Sequence, residues 1–423
     1  MSDRSAARSP RQQPDASARV LSPAGRRRGI AAVAVLAAAL ATGSVLPASA
    51  TPAAGPAASA TAASVDTSVS SDKRDVALRQ GLTGLVRKDK YPAALASTVD
   101  RDGRTRNYAV GTGDLRTGAP APVDGRVRAG SNTKTFVAAV VLQLVGEGKV
   151  DLDAPIEKYL PKLVRGEGID GRKISVRQLL NHTSGLPNYT EYMLDDLLGK
   201  DRHTYVQPRA LLDVALEHKA LFEPGKKWSY SNTNYVLAGL LIEKVTRRPL
   251  DEQIAQRVID RIGLRHTYFP AVGEERIRGK HPRAYHSPKQ GAPLVDFTEL
   301  DPSWGWAAGQ IVSTPSDLNR FFRALFDGKL LKPAQVEQLR TTVAVPEEWG
   351  GKGVRYGLGV TSTPLSCGGT MWGHGGDIPG HATRTGVTDD GRATAIALTA
   401  NMAPTPQGPE HALTVLDASF CKK

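Results

Sequence analysis

Strand signals at both ends of the chain enclose a helical middle, and few folds accommodate that order. Near the front, Ala93 to Val99, the Asp102-Gly103 turn and Thr105 to Gly111 read as two strands of a hairpin. Near the end, Thr370 to His374 and Ala382 to Thr388 read as strands, Asp390-Gly391 as a turn and Ala393 to Ala400 as another strand. Outside these lie two helical patterns: one begins near Asp75 with Val76, Leu78, Leu82, Leu85 and Val86, and the other runs from Glu410 to Phe420. Apolar-periodic stretches fill the middle at Phe136 to Val145, Val176 to Leu180, Ala210 to Leu216, Tyr235 to Val245 and Leu318 to Phe326. The economical architecture is α/β (α+β): one antiparallel five-stranded sheet built from both chain ends and flanked by the terminal helices, with an all-helical region inserted. It places the helical region at about 131–344 and the α/β region at about 73–130 plus 345–423.

The front of the chain reads differently. Arg4, Arg8, Arg11 and Arg19 lead to the triplet Arg26-Arg27-Arg28, an apolar run follows from Ile30 to Leu40, and Ala48-Ser49-Ala50 supplies small residues at cleavage spacing. Residues 1–50 therefore read as a secretory signal peptide, with the twin-arginine route open beside the general one. The apolar run is too short for a bilayer span, so no stable membrane anchor is expected. Residues 51–72, nearly all Ala, Ser, Thr, Pro and Gly up to Ser71, read as a disordered linker. The mature protein is expected to be secreted, extracellular or cell-wall associated. In that oxidising setting Cys367 and Cys421 read as a disulfide, which the chain-entropy model values at about 4 kcal/mol.

Two cysteines also exclude a four-thiolate zinc site and an iron–sulfur cluster. The sequence contains no H-E-x-x-H, no Walker loop, no dinucleotide fingerprint and no G-x-S-x-G elbow, so neither a metal nor a cofactor is expected. Lys and Arg number 55 against 42 Asp and Glu, a net charge of +13. Part of that excess lies in the signal region, and the rest is dispersed, which argues against nucleic acid and remains compatible with an anionic cell wall.

Ser131-Asn132-Thr133-Lys134 stands where the extended Val127 to Gly130 gives way to the apolar helix. On a helix, residues three apart share a face and side chains lean toward the N-terminus, so the Lys134 amine is directed back at the Ser131 hydroxyl. Burial and the helix dipole lower the pKa of such an amine toward a value useful in a base, while the free N–H groups of the first turn favour an oxyanion. The same residues also read as a helix cap with a solvated lysine. Ser70 and Lys73 repeat the spacing in the linker, where no long apolar helix follows. Tyr230-Ser231-Asn232 precedes the Tyr235 to Val245 helix and offers a phenol for proton relay and an amide for substrate, or equally a buried Tyr before a cap. His374-Gly375-Gly376-Asp377 ends a strand, where glycines admit a substrate backbone and a His can donate to a carboxylate or assist proton transfer. Lys289-Gln290-Gly291, in a proline-flanked loop, is a poorer third piece. His182 is expected to hold a local turn.

Taken in order, S-x-x-K, Y-x-N and H-x-G resemble the serine penicillin-recognising enzymes, in the branch that includes class C β-lactamases and secreted D-alanyl-D-alanine carboxypeptidases. The segments Leu142 to Lys149, Asn181 to Leu186, Tyr230 to Tyr235 and Tyr356 to Gly359 are similar to that branch as well, and the likeness covers roughly Asp75 to Lys423. The resemblance implies Ser131 as the acylated nucleophile, Lys134 as its proton acceptor and Tyr230 as the relay to the leaving group. It implies Asn232 holding the acyl-side amide, His374 with Gly375 and Gly376 lining the strand edge, and the backbone N–H groups of Ser131 and Asp377 as the oxyanion hole. Trp304 would border the cleft, and the Cys367–Cys421 pair matches the branch.

Where the carboxypeptidases carry a hydroxyl residue after the His and another two further on, this chain has Gly375 and Asp377. Their arginine upstream of the first cysteine is also missing, since Val360 to Ser366 holds no cation, and Arg384 or Arg355 are the candidates to replace it. The expectation is a secreted monomeric D-alanyl-D-alanine carboxypeptidase, taking a small peptide ending in D-Ala-D-Ala. An esterase, a β-lactamase and a penicillin-sensing module without turnover are the alternatives.

Overall fold

The computed structural model describes residues 73–289, 292–401 and 405–421. The expected signal peptide (1–50) and linker (51–72) lie outside the described residues, as do Ser70 of the second S-x-x-K and Gln290 with Gly291.

Helix α1 (Lys73–Arg87) leads into β1 (Ala93–Val99), which turns at Gly103 (φ +83°) into β2 (Thr105–Asp114). Strand β1, Ala-Ala-Leu-Ala-Ser-Thr-Val, is buried on both faces, so its residues are small or apolar throughout instead of alternating. The short β3 (Ala119–Pro120) extends that edge. The remaining strands come late in the chain: β4 (Val343–Ala344), β5 (Arg355–Tyr356), β6 (Thr361–Pro364), β7 (Thr370–Gly373), β8 (Gly375–Ile378), β9 (His381–Thr388) and β10 (Ala393–Leu398). The sheet order is β4-β5-β6-β7-β9-β10-β1-β2-β3, with β8 also paired to β9, and every pair is antiparallel.

The five strands expected from the sequence are its centre, β7-β9-β10-β1-β2, joined across the two chain ends by the β1–β10 register Ala94↔Leu398 to Val99↔Ala393. The sheet has ten strands where five were expected. Four of the additions (β3, β4, β5 and β6) are two- to four-residue ladders too short to show a period of two, and β8 is glycine-rich.

On one face of the sheet α1 packs with the last helix, Gly408–Cys421, through Leu78, Leu82, Leu85, Ile396, Leu416 and Phe420. The Cys367–Cys421 disulfide (S–S 2.08 Å) ties the end of that helix to the β6–β7 turn. The other face carries the larger core, in which α2 (Asn132–Gly146) is buried nearly all round. Its uninterrupted apolar composition is what a central helix requires. Phe136 of α2 stacks on Phe321 of the helix Pro315–Phe326 with ring centroids 3.7 Å apart. The remaining expected helices occur as Val176–Leu180, Pro208–Leu216 and Asn232–Thr246. Val176 opens its helix where expected, and the others, with Pro315–Phe326, start two or three residues before the apolar pattern where Pro208, Pro315 or Asn232 opens the first turn, as when Thr314 accepts from the Asp317 N–H. The inserted region also holds short two-residue ladders, such as Arg165–Gly166 with Ile169–Asp170, and Val127–Arg128 just before it pairs with Val312–Ser313 inside it. Among the described residues no helix is long and apolar enough to cross a membrane, and no cluster of side chains could hold a metal ion.

Candidate active site

Three segments remote in sequence meet at the start of α2. Ser131 precedes the first helical residue, is half-buried, and caps no backbone amide with its hydroxyl, which disposes of the cap reading. Lys134, one turn on, is fully buried. Its Nζ lies 2.9 Å from Ser131 Oγ, 2.7 Å from Asn232 Oδ1 and 2.8 Å from the carbonyl oxygen of Ala308. Burial holds the Lys134 pKa well below the ordinary lysine range. A neutral amine donates two N–H bonds, here met by Asn232 and Ala308, so its lone pair is left for the Ser131 hydroxyl. This is the arrangement of a base set against its nucleophile.

Tyr230 completes the pair from the other side. Its phenol lies beside the Ser131 side chain, and Lys134 Nζ sits 4.9 Å from its ring centroid. Burial raises the Tyr230 pKa above its ordinary value, outweighing the downward pull of Ser131, so near neutrality the residue is a protonated phenol able to give a proton. Asn232, the first residue of its helix, receives Lys134 on Oδ1 while its Nδ2 donates to Thr190 Oγ1 at 3.2 Å and its N–H to Asn188 Oδ1 at 3.0 Å. The amide is thereby fixed in one orientation.

Strand β8 forms the facing wall. Gly130 has φ +54°, and a Cβ there would fall 2.8 Å from the Asp377 backbone nitrogen, so the segment carrying Ser131 runs directly against that strand. Gly376 is needed for the same approach, since its Cβ would lie 2.0 Å from the Ala129 carbonyl oxygen. The residues named for the oxyanion hole, Ser131 and Asp377, are thus on contiguous backbone. At Gly375 a Cβ would meet the Arg384 guanidinium at 3.6 Å, an ordinary contact, so Arg384 does not require glycine there. Arg384 reaches from β9 to the half-exposed Asp377 carboxylate at 3.2 Å. Arg355, the other candidate cation, instead donates to Thr342 (2.8 and 3.0 Å) on the exposed outer part of the sheet.

His374 is buried, and both ring nitrogens are engaged by the protein. The partner set dictates the tautomers along a chain of bonds. His182 Nδ1 accepts from the Ser231 N–H (3.2 Å) and Asn234 Nδ2 (3.0 Å), so its Nε2–H donates to Tyr356 Oη (3.2 Å). The Tyr356 hydroxyl donates in turn to His374 Nε2 (2.8 Å), and His374 Nδ1–H donates to the Gly375 carbonyl. Burial, with Lys134 adding to it, pushes the His374 pKa down to about 3. Neutral and doubly bonded, His374 supports β8 as a positioning residue. The sequence reading as a carboxylate donor or proton carrier does not fit, because no ring nitrogen is left over.

Trp304 is half-buried in the loop that leads to Ala308, and its carbonyl accepts from Tyr189 Oη at 2.5 Å. The loop thus joins the Asn188–Thr190 segment to the carbonyl that Lys134 uses. His182 has φ +63°, in keeping with its expected turn, but its ring also begins the chain to His374. Sequence reasoning missed Thr190, Asn188, the Ala308 carbonyl and the role of Tyr356. Tyr356-Gly357-Leu358-Gly359 did stand out as a familiar segment, whereas the others carry no local signal.

Fold and site together define a serine hydrolase of the penicillin-recognising type, with a Ser–Lys pair at a helix start facing a β-strand edge. The β-lactamase family model matches residues 79–420, and the chain belongs to that family. It is similar to a D-stereospecific amidohydrolase from Streptomyces sp., with 40% identity and TM-score 0.75 over 82% of this chain and 99% of that one. A D-amino acid amidase from Ochrobactrum anthropi SV3 matches with 27% identity and TM-score 0.73, over 82% and 97% of the two chains. Penicillin-binding protein 4* of Bacillus subtilis (strain 168) is 26% identical over 304 residues, 69% of this chain and 64% of that protein. The chain spans 46% to 64% of the length of such curated relatives.

Proposed function

We propose that this protein cleaves an amide on the carbonyl side of a D-configured amino-acid residue, through an acyl-enzyme on Ser131, and that the leaving group carries no carboxylate. The observation that carries the reading is the Asp377–Arg384 ion pair beside the nucleophile. Of the basic side chains near His374, the buried Lys134 amine is held neutral and set against Ser131, and Arg384 is paired with Asp377. A terminal carboxylate would therefore meet the like charge of Asp377 before reaching a cation. The amidohydrolase and the amidase named above support the choice of D-configured amides.

In the reaction, the Ser131 proton passes to Lys134 Nζ as Oγ attacks the carbonyl carbon, and the backbone N–H groups of Ser131 and Asp377 receive the oxyanion. Collapse breaks the C–N bond while Tyr230 gives its proton to the departing nitrogen, and Lys134 restores it. Water then attacks the ester by the reverse relay.

The D-alanyl-D-alanine carboxypeptidase reading is kept for one reason, that Arg384 stands beside β8 and could serve a carboxylate if Asp377 released it. A labelled penicillin followed by mass spectrometry locates the acylated residue, and release of ammonia from D-phenylalanine amide is compared with release of D-alanine from a D-Ala-D-Ala peptide. An adduct on Ser131 with faster amide turnover is expected. Faster D-alanine release returns the chain to the carboxypeptidases, ester turnover alone makes it an esterase, and a persistent adduct without any turnover makes it a sensor. We further propose that the protein acts outside the cell, supported by the signal-like residues 1–50 and the paired cysteines, and we carry the expectation of a monomer forward as a proposal of its own. The N-terminus found in culture supernatant and the sedimentation coefficient test this.

A further inference from the structure

Between β4 and β5 the chain makes an excursion whose tip is the short helix Glu347–Gly350, followed by Gly351 (φ +88°) and Gly353 (φ +77°). The ladder Val343↔Tyr356 and Ala344↔Arg355 holds the base of the excursion to the sheet. At its tip Trp349 lies near-parallel to the catalytic Tyr230 ring, with centroids 5.6 Å apart and planes 26° from parallel. It meets Trp228 edge-on at 4.6 Å and Tyr356 at 5.8 Å. Despite these contacts it is 39% exposed, and it is the one tryptophan among the exposed large apolar side chains of the described residues. An indole left open to solvent while stacked on a reacting side chain is a costly arrangement for packing alone.

We propose that Trp349, with Trp228 behind it, forms an apolar subsite for the leaving group, and that this subsite takes a flat aromatic or other large apolar substituent on the departing amine or alcohol. Tyr230 is the group assigned to the departing atom, because its ring lies 4.9 Å from the Lys134 Nζ that bonds Ser131, and its phenol must hand over a proton there. Whatever is attached to that atom continues past Tyr230 toward its exposed neighbour. The acyl side is assigned elsewhere, to Asn232, which Thr190 and Asn188 hold in place. An aromatic leaving-group substituent gains contact and loses water against the open indole face, while a methyl group reaches little of it.

The proposal rests on acyl transfer at Ser131 but not on which acyl group is used, and the experiment keeps the two apart. Benzyl and methyl esters of one N-acylated D-alanine have alcohols of similar basicity, so their intrinsic reactivities match. The same pair is run as benzylamide and methylamide. In wild type the benzyl substrates should have the higher kcat/KM, and Trp349→Ala should lower the benzyl-to-methyl ratio about tenfold, chiefly through KM. Trp349→Phe should restore most of the ratio. If Trp349→Ala does not fold, Trp349→Gln at the same tip reads the same ratio. A ratio unchanged by the substitutions, with both substrates slowed together, makes Trp349 a mere support for Tyr230 and overturns the subsite. If the ratio shifts for esters while amides are not cleaved, the subsite stands and the amide reading falls.

Discussion

Tyr356→Phe removes one oxygen and leaves the ring, which isolates the worth of the bond chain behind β8. In the wild type that oxygen accepts from His182 Nε2–H at 3.2 Å and donates to His374 Nε2 at 2.8 Å. His182 is fully buried and His374 is 4% exposed, so water is poorly placed to replace either bond. Each stranded buried group costs about 1–3 kcal/mol, and two together about 2–6 kcal/mol. His182 cannot escape by changing tautomer, because Ser231 and Asn234 both donate to its Nδ1. Urea unfolding followed by circular dichroism should show that loss as a lower midpoint at unchanged slope. Acylation by penicillin should slow as well, since His374 Nδ1 holds the Gly375 carbonyl at the head of β8. Nitrogen-15 shifts supply the sharper readout: the wild type should show a protonated Nε2 on His182 and a protonated Nδ1 on His374. A stability loss below about 0.5 kcal/mol, which is within the ordinary range for a harmless surface change, refutes the argument. So does finding the same tautomer on both imidazoles.

Three other substitutions probe the site. Lys134→Met should lower the acylation rate by roughly 100- to 10,000-fold. Its pH dependence has a definite sign: the unfolded chain holds the Lys134 proton up to about its ordinary 10.5 while the folded chain has given it up, so wild-type stability rises with pH between the lowered folded pKa and 10.5. The stability gap between wild type and Lys134→Met should therefore move in favour of wild type as pH rises, by up to about 1.4 kcal/mol per pH unit, and a gap that ignores pH would sink the assignment of a neutral lysine. Asp377→Ser frees Arg384 and puts a hydroxyl where the carboxypeptidases have one, so D-alanine release from a D-Ala-D-Ala peptide should rise at least about tenfold relative to amide hydrolysis; a relative rate that stays put means Arg384 does not face the leaving group. Gly376→Ala would place a Cβ 2.0 Å from the Ala129 carbonyl, and loss of acylation beyond about 100-fold is expected, with retained acylation showing that β8 can retreat.

Much of this was legible because it is local. The i, i+3 spacing of Ser131 and Lys134 acts within one helical turn, and the five central strands announced themselves by turns at Asp102-Gly103 and Asp390-Gly391 and by short apolar runs. The two-residue ladders at the sheet edge were not legible, since a period needs more than one repeat to be seen. His374 was found from its motif but given the wrong task. Its bonding is set by Tyr356, eighteen residues away, and through it by His182, which lies 174 residues before Tyr356.

The sequence by itself determined where a nucleophile and an amine would share a helical face and which five central strands would form, because each follows from bond geometry within a few residues. Tertiary structure alone decided that the amine is stripped of water, that Asn232 and the Ala308 carbonyl take its two protons, that Arg384 is neutralised by Asp377, and that Trp349 lies open on Tyr230. Those are matters of desolvation, of side chains brought together from elements as far as 174 residues apart or across the β8–β9 hairpin, and of rings meeting in space, and neither composition nor periodicity carries them.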